Sequence, residues 1–312
     1  MAHCKKTSDA QIILCPLPKR WGLSLVQLRS EMEALERCRV DPDIQVPAWQ
    51  LDTELRARLD GPFQEQVLEW MGCAGQKVLI IGAHCPEFAA QLASRNMFVT
   101  VIDDDAGRIQ RTQTLSNEQG GMGTVTCHMD DYSQRQFERA AFNRIIAWDV
   151  LNRFPLVEPI VRKMTRELKT GGLLCLRSWV APLVPEVAWT EHVGAWWAKF
   201  TGNAGGPLLT AYTEALTAHG PIPSHASAIP WAELQRVIGE HLVIQESTPQ
   251  HGMVSDVAEL VATGHDLYRG LLTQLLDSAS GGASPATPET ARYAVILAAN
   301  EKQLGKVFSL GD

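Results

Sequence analysis

No stretch of this chain approaches the roughly 20 consecutive apolar residues that a membrane-spanning helix needs. The short apolar run Ile12–Cys15 near the start is too brief for the core of a secretory signal. An excess of basic charge is missing as well: 28 Lys and Arg stand against 35 Asp and Glu, for a net charge of −7. Nucleic-acid grooves are built from clustered Lys and Arg, so this balance argues against nucleic acid as the main partner. Metal-type cysteine spacing is also lacking. The seven Cys are odd in number and irregularly spaced, with no C-x-x-C among them, which argues against a zinc site or a disulfide framework. Cys127 and Cys175 sit inside apolar runs, where a free thiol behaves as a small hydrophobe. These absences lead to the expectation of a soluble, cytoplasmic protein with reduced thiols and no metal.

What is present is an ordinary globular composition, 45% hydrophobic and 20% charged over 312 residues. That length suits one large domain or two modest ones and can bury a sizeable core without staples. Residues 1–74 read as an N-terminal helical region. Leu25, Leu28, Met32 and Leu35 recur at helical spacing between Ser24 and Cys38. A second helix is expected over Thr53–Leu59 behind an Asp52 cap, and a third restarting at Gly61-Pro62 and running to Met71.

From residue 75 the pattern changes to strands alternating with helices. Short apolar strands are expected at Lys77–Ile81, Phe98–Ile102, Thr124–Met129, Arg144–Trp148 and Leu173–Ser178, with helices between them. The helix Pro155–Leu168 is expected to stop at Gly171-Gly172. Such alternation means a mostly parallel α/β sheet with right-handed crossovers. Residues 75–180 form the expected cofactor-binding core and 181–235 an aromatic-rich insertion. Residues 236–312 hold further strands (His241–Glu246 and Arg292–Ala298) around a long helix over Val254–Leu276.

The chemistry concentrates at the strand ends. Val78–Phe88 is a strand followed by a turn and a helix start, an arrangement that lets a cofactor approach the backbone at a helix N-terminus. Gly82 is the one glycine there; His84 and Pro86 stand where further glycines would usually be. Asp103 follows Gly82 by twenty-one residues, at the end of the second strand, where an acid can accept hydrogen bonds from both ribose hydroxyls. Successive strands end in acids: Asp103–Asp105, then Asp130 and Asp131, then Asp149. Ligands of open α/β sheets bind outside these carboxyl ends. The plainer alternative is that each acid caps the next helix. His84 is either a base beside a cofactor or a hydrogen-bonded loop residue.

Downstream, Phe142–Pro155 resembles the fourth-strand segment of class I S-adenosylmethionine (SAM)-dependent methyltransferases, and Lys169–Leu176 resembles the segment that opens their fifth strand. The order and spacing from Val78 to Val180 carry the likeness, with a degenerate glycine motif as the departure. The resemblance implies a Rossmann-like α/β fold with a seven-stranded, mostly parallel sheet, helices on both faces, and an antiparallel last strand near Tyr293–Ala298. It implies SAM as cofactor, bound by Gly82, Ala83, His84, Asp103, Asp104, Asp131, Tyr132, Trp148 and Asp149. Five of nine Trp fall between Trp179 and Trp231. An aromatic cover built from Trp179, Trp196 and Trp197 suits a small apolar or aromatic substrate; an ordinary core or an apolar dimer face is the alternative. His84, His192 and His251 are candidate bases. The lost glycines leave two further readings open: a pseudo-methyltransferase acting as a partner subunit or scaffold, or a SAM-binding enzyme that transfers no methyl. A homodimer or protein partner also stays open.

Overall fold

A computed structural model describes residues 25–41, 44, 48–50, 52–72, 74–82, 86–118, 122–181, 228–250, 252–262, 269–270, 272–273, 276 and 292–301. The strands are β1 (Lys77–Ile81), β2 (Phe98–Asp103), β3 (Thr124–Met129), β4 (Phe142–Trp148), β5 (Leu168–Ala181), β6 (Ile229–Pro230), β7 (Val243–Gln250) and β8 (Tyr293–Ala299). The α-helices are α1 (Leu25–Glu36), α2 (Thr53–Met71), α3 (Pro86–Ser94), α4 (Ala106–Glu118), α5 (Val157–Glu167), α6 (Trp231–His241) and α7 (Gly252–Ala262). Short 3-10 turns occupy Ala48–Gln50 and Leu151–Arg153.

Seven strands form the continuous sheet, in the order β3-β2-β1-β4-β5-β8-β7. The expected seven-stranded sheet is therefore present, joined by the two-residue β6, which pairs with β5 beyond it. Strands β1 to β5 pair in parallel, and β8 runs antiparallel to both β5 and β7. The strand order reverses between β1 and β4, which makes the carboxyl end of that pair the switch point.

The central strands are apolar at nearly every position because both faces are covered. Leu79 and Ile81 of β1, Ile145 and Ala147 of β4, and Leu174 and Leu176 of β5 pack on one face with α5 and α6. Val78, Ile80, Ile146, Trp148 and Cys175 point the other way, against α2 and α3. This two-residue alternation gives a three-layer sandwich. Among the described residues no helix is long and apolar enough to cross a membrane.

Two expectations need correction. The break at Gly61-Pro62 does not occur: α2 runs through it as one helix, with Pro62 inside. Leu55, Leu59, Phe63, Val67 and Met71 recur every four residues and are all buried. Burying each side chain contributes roughly 1.5–3 kcal/mol, which outweighs the ~3 kcal/mol cost of an interior proline. The Asp52 cap is as expected, with its carboxylate accepting from the amides of Glu54 and Leu55 at 2.9 and 3.1 Å. Second, Gly171-Gly172 do not stop a helix; they lie inside β5, which starts at Leu168 directly after α5. Gly171 takes φ +72°, and a Cβ on Gly172 would come within 2.8 Å of the Lys169 carbonyl oxygen. The pair thus marks a strand irregularity, where glycine is also favoured. Of the long helix expected over 254–276, α7 is the first part. The aromatic insertion beyond Ala181 lies outside the described residues up to residue 227.

Candidate functional site

The carboxyl ends of β1, β2, β3 and β4 meet in one crevice, bordered by Gly82, Asp103, Asp104, Asp130, Tyr132 and Val150 and closed by Val40 and Arg153. It forms there because β1 and β4 part company at the switch point and their following chains diverge to opposite faces. Gly82 has φ +88°, a conformation that glycine takes without strain. Its amide donates to the Ile102 carbonyl at 2.9 Å, which fixes the turn against β2. Ala83 and His84 lie outside the described residues. Pro86 is buried at the first position of α3, where a missing N–H costs nothing.

Asp103 ends β2 with its side chain wholly buried. Its Oδ1 accepts from the Asp105 amide at 2.7 Å, and the Arg108 guanidinium forks onto both of its oxygens, with the shortest contact at 2.7 Å. Asp104 receives both terminal nitrogens of Arg153, each at 2.7 Å. Half-burial pushes the Asp104 carboxyl up, but the Arg153 hydrogen bonds and charge outweigh that and hold it below the usual range. Asp131 follows β3, and its oxygens accept the Val40 amide at 2.9 Å and the Ser133 amide at 2.8 Å. Tyr132 lines the crevice with its ring, while its hydroxyl donates to Glu167 at 2.7 Å and Lys163 sits 3.9 Å above the ring. Lys163 and Glu167 form a wholly buried pair one helical turn apart. Burial drives the Lys163 ammonium down to about 8, against the pull of Glu167.

Trp148 and Asp149 belong to a second, buried cluster beside the crevice. Asp149 adopts φ +50° and is fully buried. Arg177 of β5 grips both its oxygens, Nε to Oδ1 at 3.0 Å and the terminal nitrogen to Oδ2, and Gln50 donates to Oδ2 at 2.7 Å. The other arm of Arg177 reaches Asp60 of α2. Trp49, Phe63, Trp148 and Tyr293 surround the guanidinium at 5.1–6.0 Å from their ring centroids. One cation here serves two carboxylates. Burial raises Asp60 to about 6 in spite of Arg177, and Asp149 adds to that rise. Burial raises the Asp149 carboxyl as well, against the charge and hydrogen bonds of Arg177 and the hydrogen bond from Gln50. Trp179 is also buried: its backbone amide and carbonyl are both bound by Asn152, at 3.0 and 2.9 Å, and its indole N–H has no partner among the described residues.

Of the residues singled out in the sequence, the fold thus brings Gly82, Asp103, Asp104 and Tyr132 together. Asp131, Trp148, Asp149 and Trp179 stand around that group with their polar atoms turned elsewhere. Trp196, Trp197, His192 and His251 lie outside the described residues. Sequence reasoning missed Val40, Asp60, Arg108, Arg153 and Arg177. Arg177 alone left a trace, as a lone charge within the apolar run Leu173–Val180, where burial demands a partner.

Residues 81–176 match the family described as Methyltransferase domain. The fold is similar to that of the 4+2 cyclase SpnF, at 14% identity and a TM-score of 0.51, over 88% of this chain and 94% of that one. It is also similar to a Bacillus halodurans C-125 protein assigned as a methyltransferase, at 14% identity and a TM-score of 0.50, over 77% of this chain and 99% of that one. Geranyl diphosphate C-methyltransferase of Streptomyces coelicolor A3(2) matches at 13% identity and a TM-score of 0.50, over 86% and 97%. The matched segment spans the strands whose carboxyl ends form the crevice, and the similarity to these solved structures is one of fold.

Proposed function

We propose that this protein transfers the SAM methyl group to a small apolar or aromatic molecule, with Asp103 as the ribose-binding acid. The observation that carries this is the crevice itself, which has a buried carboxylate at the end of β2 facing a positive-φ glycine at the end of β1. That donor and acceptor set fits SAM in kind. Asp103 would accept the ribose hydroxyls, Gly82 would admit the cofactor close to the backbone, and Asp104, Asp131 and Tyr132 would flank the adenosine. Ala83, His84, Trp148 and Asp149 would border the methionine part. SAM supplies an already activated methyl group, so the protein's work is proximity, orientation and exclusion of water. The aromatic segment with Trp179, Trp196 and Trp197 is the candidate substrate cover, and His84, His192 and His251 are the candidate proton acceptors.

A second reading is favoured by one feature. The crevice has an internal volume of about 10 Å³, the room of roughly one water molecule and far below the roughly 300–1,000 Å³ typical of small-molecule sites. A protein of this shape that transfers no methyl, as a scaffold or as an enzyme of another reaction, is the alternative. The name of the cyclase SpnF gives one such reaction on a similar fold.

Incubation with methyl-labelled SAM and a mixed set of small acceptors separates the two. Label in the apolar or aromatic acceptors is the expected result. Label in polar acceptors alone contradicts the substrate class. Binding of S-adenosylhomocysteine without label in any acceptor supports the second reading.

A further inference from the structure

The small volume of the crevice has a specific origin. After α1 the chain is pinned down: Cys38 is fully buried, and Gln134 donates to the Leu35 carbonyl at 3.1 Å. It then crosses the crevice mouth. The Val40 amide donates to Asp131 Oδ2 at 2.9 Å on the β3 side, and the Asp41 amide donates to the Arg153 carbonyl at 2.8 Å on the β4 side. The Val40 side chain lines the interior together with Gly82 and Tyr132. Arg153 completes the closure from β4 to β2 by its two-point pairing with Asp104, while its Nε is buried without a partner among the described residues. Residues expected to meet the cofactor are thereby occupied by the protein itself. Asp131 receives a backbone amide and Asp104 a guanidinium.

We propose that residues 38–41 and Arg153 form an internal latch that fills the cofactor crevice, and that SAM or S-adenosylhomocysteine binds only when the latch releases. The inference rests on the cofactor reading above. The latch consists of two hydrogen bonds from backbone amides, one to the Asp131 carboxylate and one to the Arg153 carbonyl, and one ion pair at a crevice rim, contacts that open locally far more easily than the core strands beneath. Apparent affinity then equals intrinsic affinity reduced by the fraction of molecules with the latch open. Loosening it raises affinity, whereas a wall of the binding site, when loosened, lowers it. The two roles predict opposite signs.

The full-length protein is compared with Val40→Pro, which removes the N–H donated to Asp131, and with Val40→Asp, which sets a carboxylate against Asp131, Asp130 and Asp104. Val40 is only partly buried, so both variants are expected to keep the wild-type melting temperature within a few degrees. S-adenosylhomocysteine affinity is read by calorimetry, and hydrogen exchange is read at the Asp41 amide in every protein and at the Val40 amide in the wild type. A latch closed in most molecules predicts about fivefold or greater tightening in both variants. In the wild-type protein, saturating ligand accelerates exchange at both amides. Unchanged or weaker binding in the variants overturns the latch, as does undiminished protection of these amides in saturating ligand. Should no protein bind S-adenosylhomocysteine although Asp41 exchanges fast in Val40→Asp, the cofactor reading fails and the latch with it. Should Asp41 stay protected in Val40→Asp, the latch alone fails.

Discussion

Arg177 Nε lies 3.0 Å from Asp149 Oδ1, joining the end of β4 to the middle of β5 inside a shell of four aromatic rings. The same guanidinium holds Asp60 of α2, so one side chain ties the N-terminal helices to the sheet beside the crevice. Removing one partner of a buried ion pair leaves an uncompensated charge. Arg177→Met is therefore expected to lower unfolding stability by roughly 3–5 kcal/mol in urea titration. A loss under about 1 kcal/mol would show that the cluster does not anchor α2.

Asp60 makes stability depend on pH. Its folded pKa of about 6 lies above the ordinary value of 3.8, so the folded state binds the proton more tightly than the unfolded chain. The contribution is fully present below about pH 4 and is lost as pH rises through 6, a change on the order of 3 kcal/mol. Asp60→Asn carries no such proton. Its stability curve between pH 4 and 6 should lack the fall that the wild type shows, once the other carboxyls' common slope is subtracted. Parallel curves for the two proteins would contradict this.

Gly123 precedes β3 where the chain passes under α3. A Cβ there would stand 2.2 Å from the Ala93 carbonyl oxygen and 2.5 Å from that of Met97, both backbone atoms unable to move alone. Gly123→Ala is expected to cost roughly 1–3 kcal/mol by overpacking, read as a lower denaturation midpoint with an unchanged slope. Wild-type stability would mean that α3 and β3 are not in this close register.

Much of the fold was legible because its signals are local. Apolar runs such as Lys77–Ile81 and Phe98–Ile102 announce strands buried on both faces, and the Asp52 cap is written in one residue. The continuity of α2 was not legible from Pro62, because a five-residue stripe packing against distant β1 and β4 overrides a local breaker. The crevice was legible only in part. The positions of Gly82 and Asp103 follow from strand ends, but their partners do not. Arg108 and Arg153 reach Asp103 and Asp104 through side-chain geometry that no spacing encodes. Val40 reaches Asp131 across 91 residues of sequence.

The central claim is that Asp103 binds the ribose of SAM in the crevice beside Gly82. Calorimetric titration with S-adenosylhomocysteine, on the wild type and on Asp103→Ala, tests it most directly. The account predicts saturable binding by the wild type and a loss of roughly 1.5–3 kcal/mol in the variant, the worth of hydrogen bonds to a charged group. Absence of wild-type binding at millimolar ligand, or equal affinity in the two proteins, would contradict it.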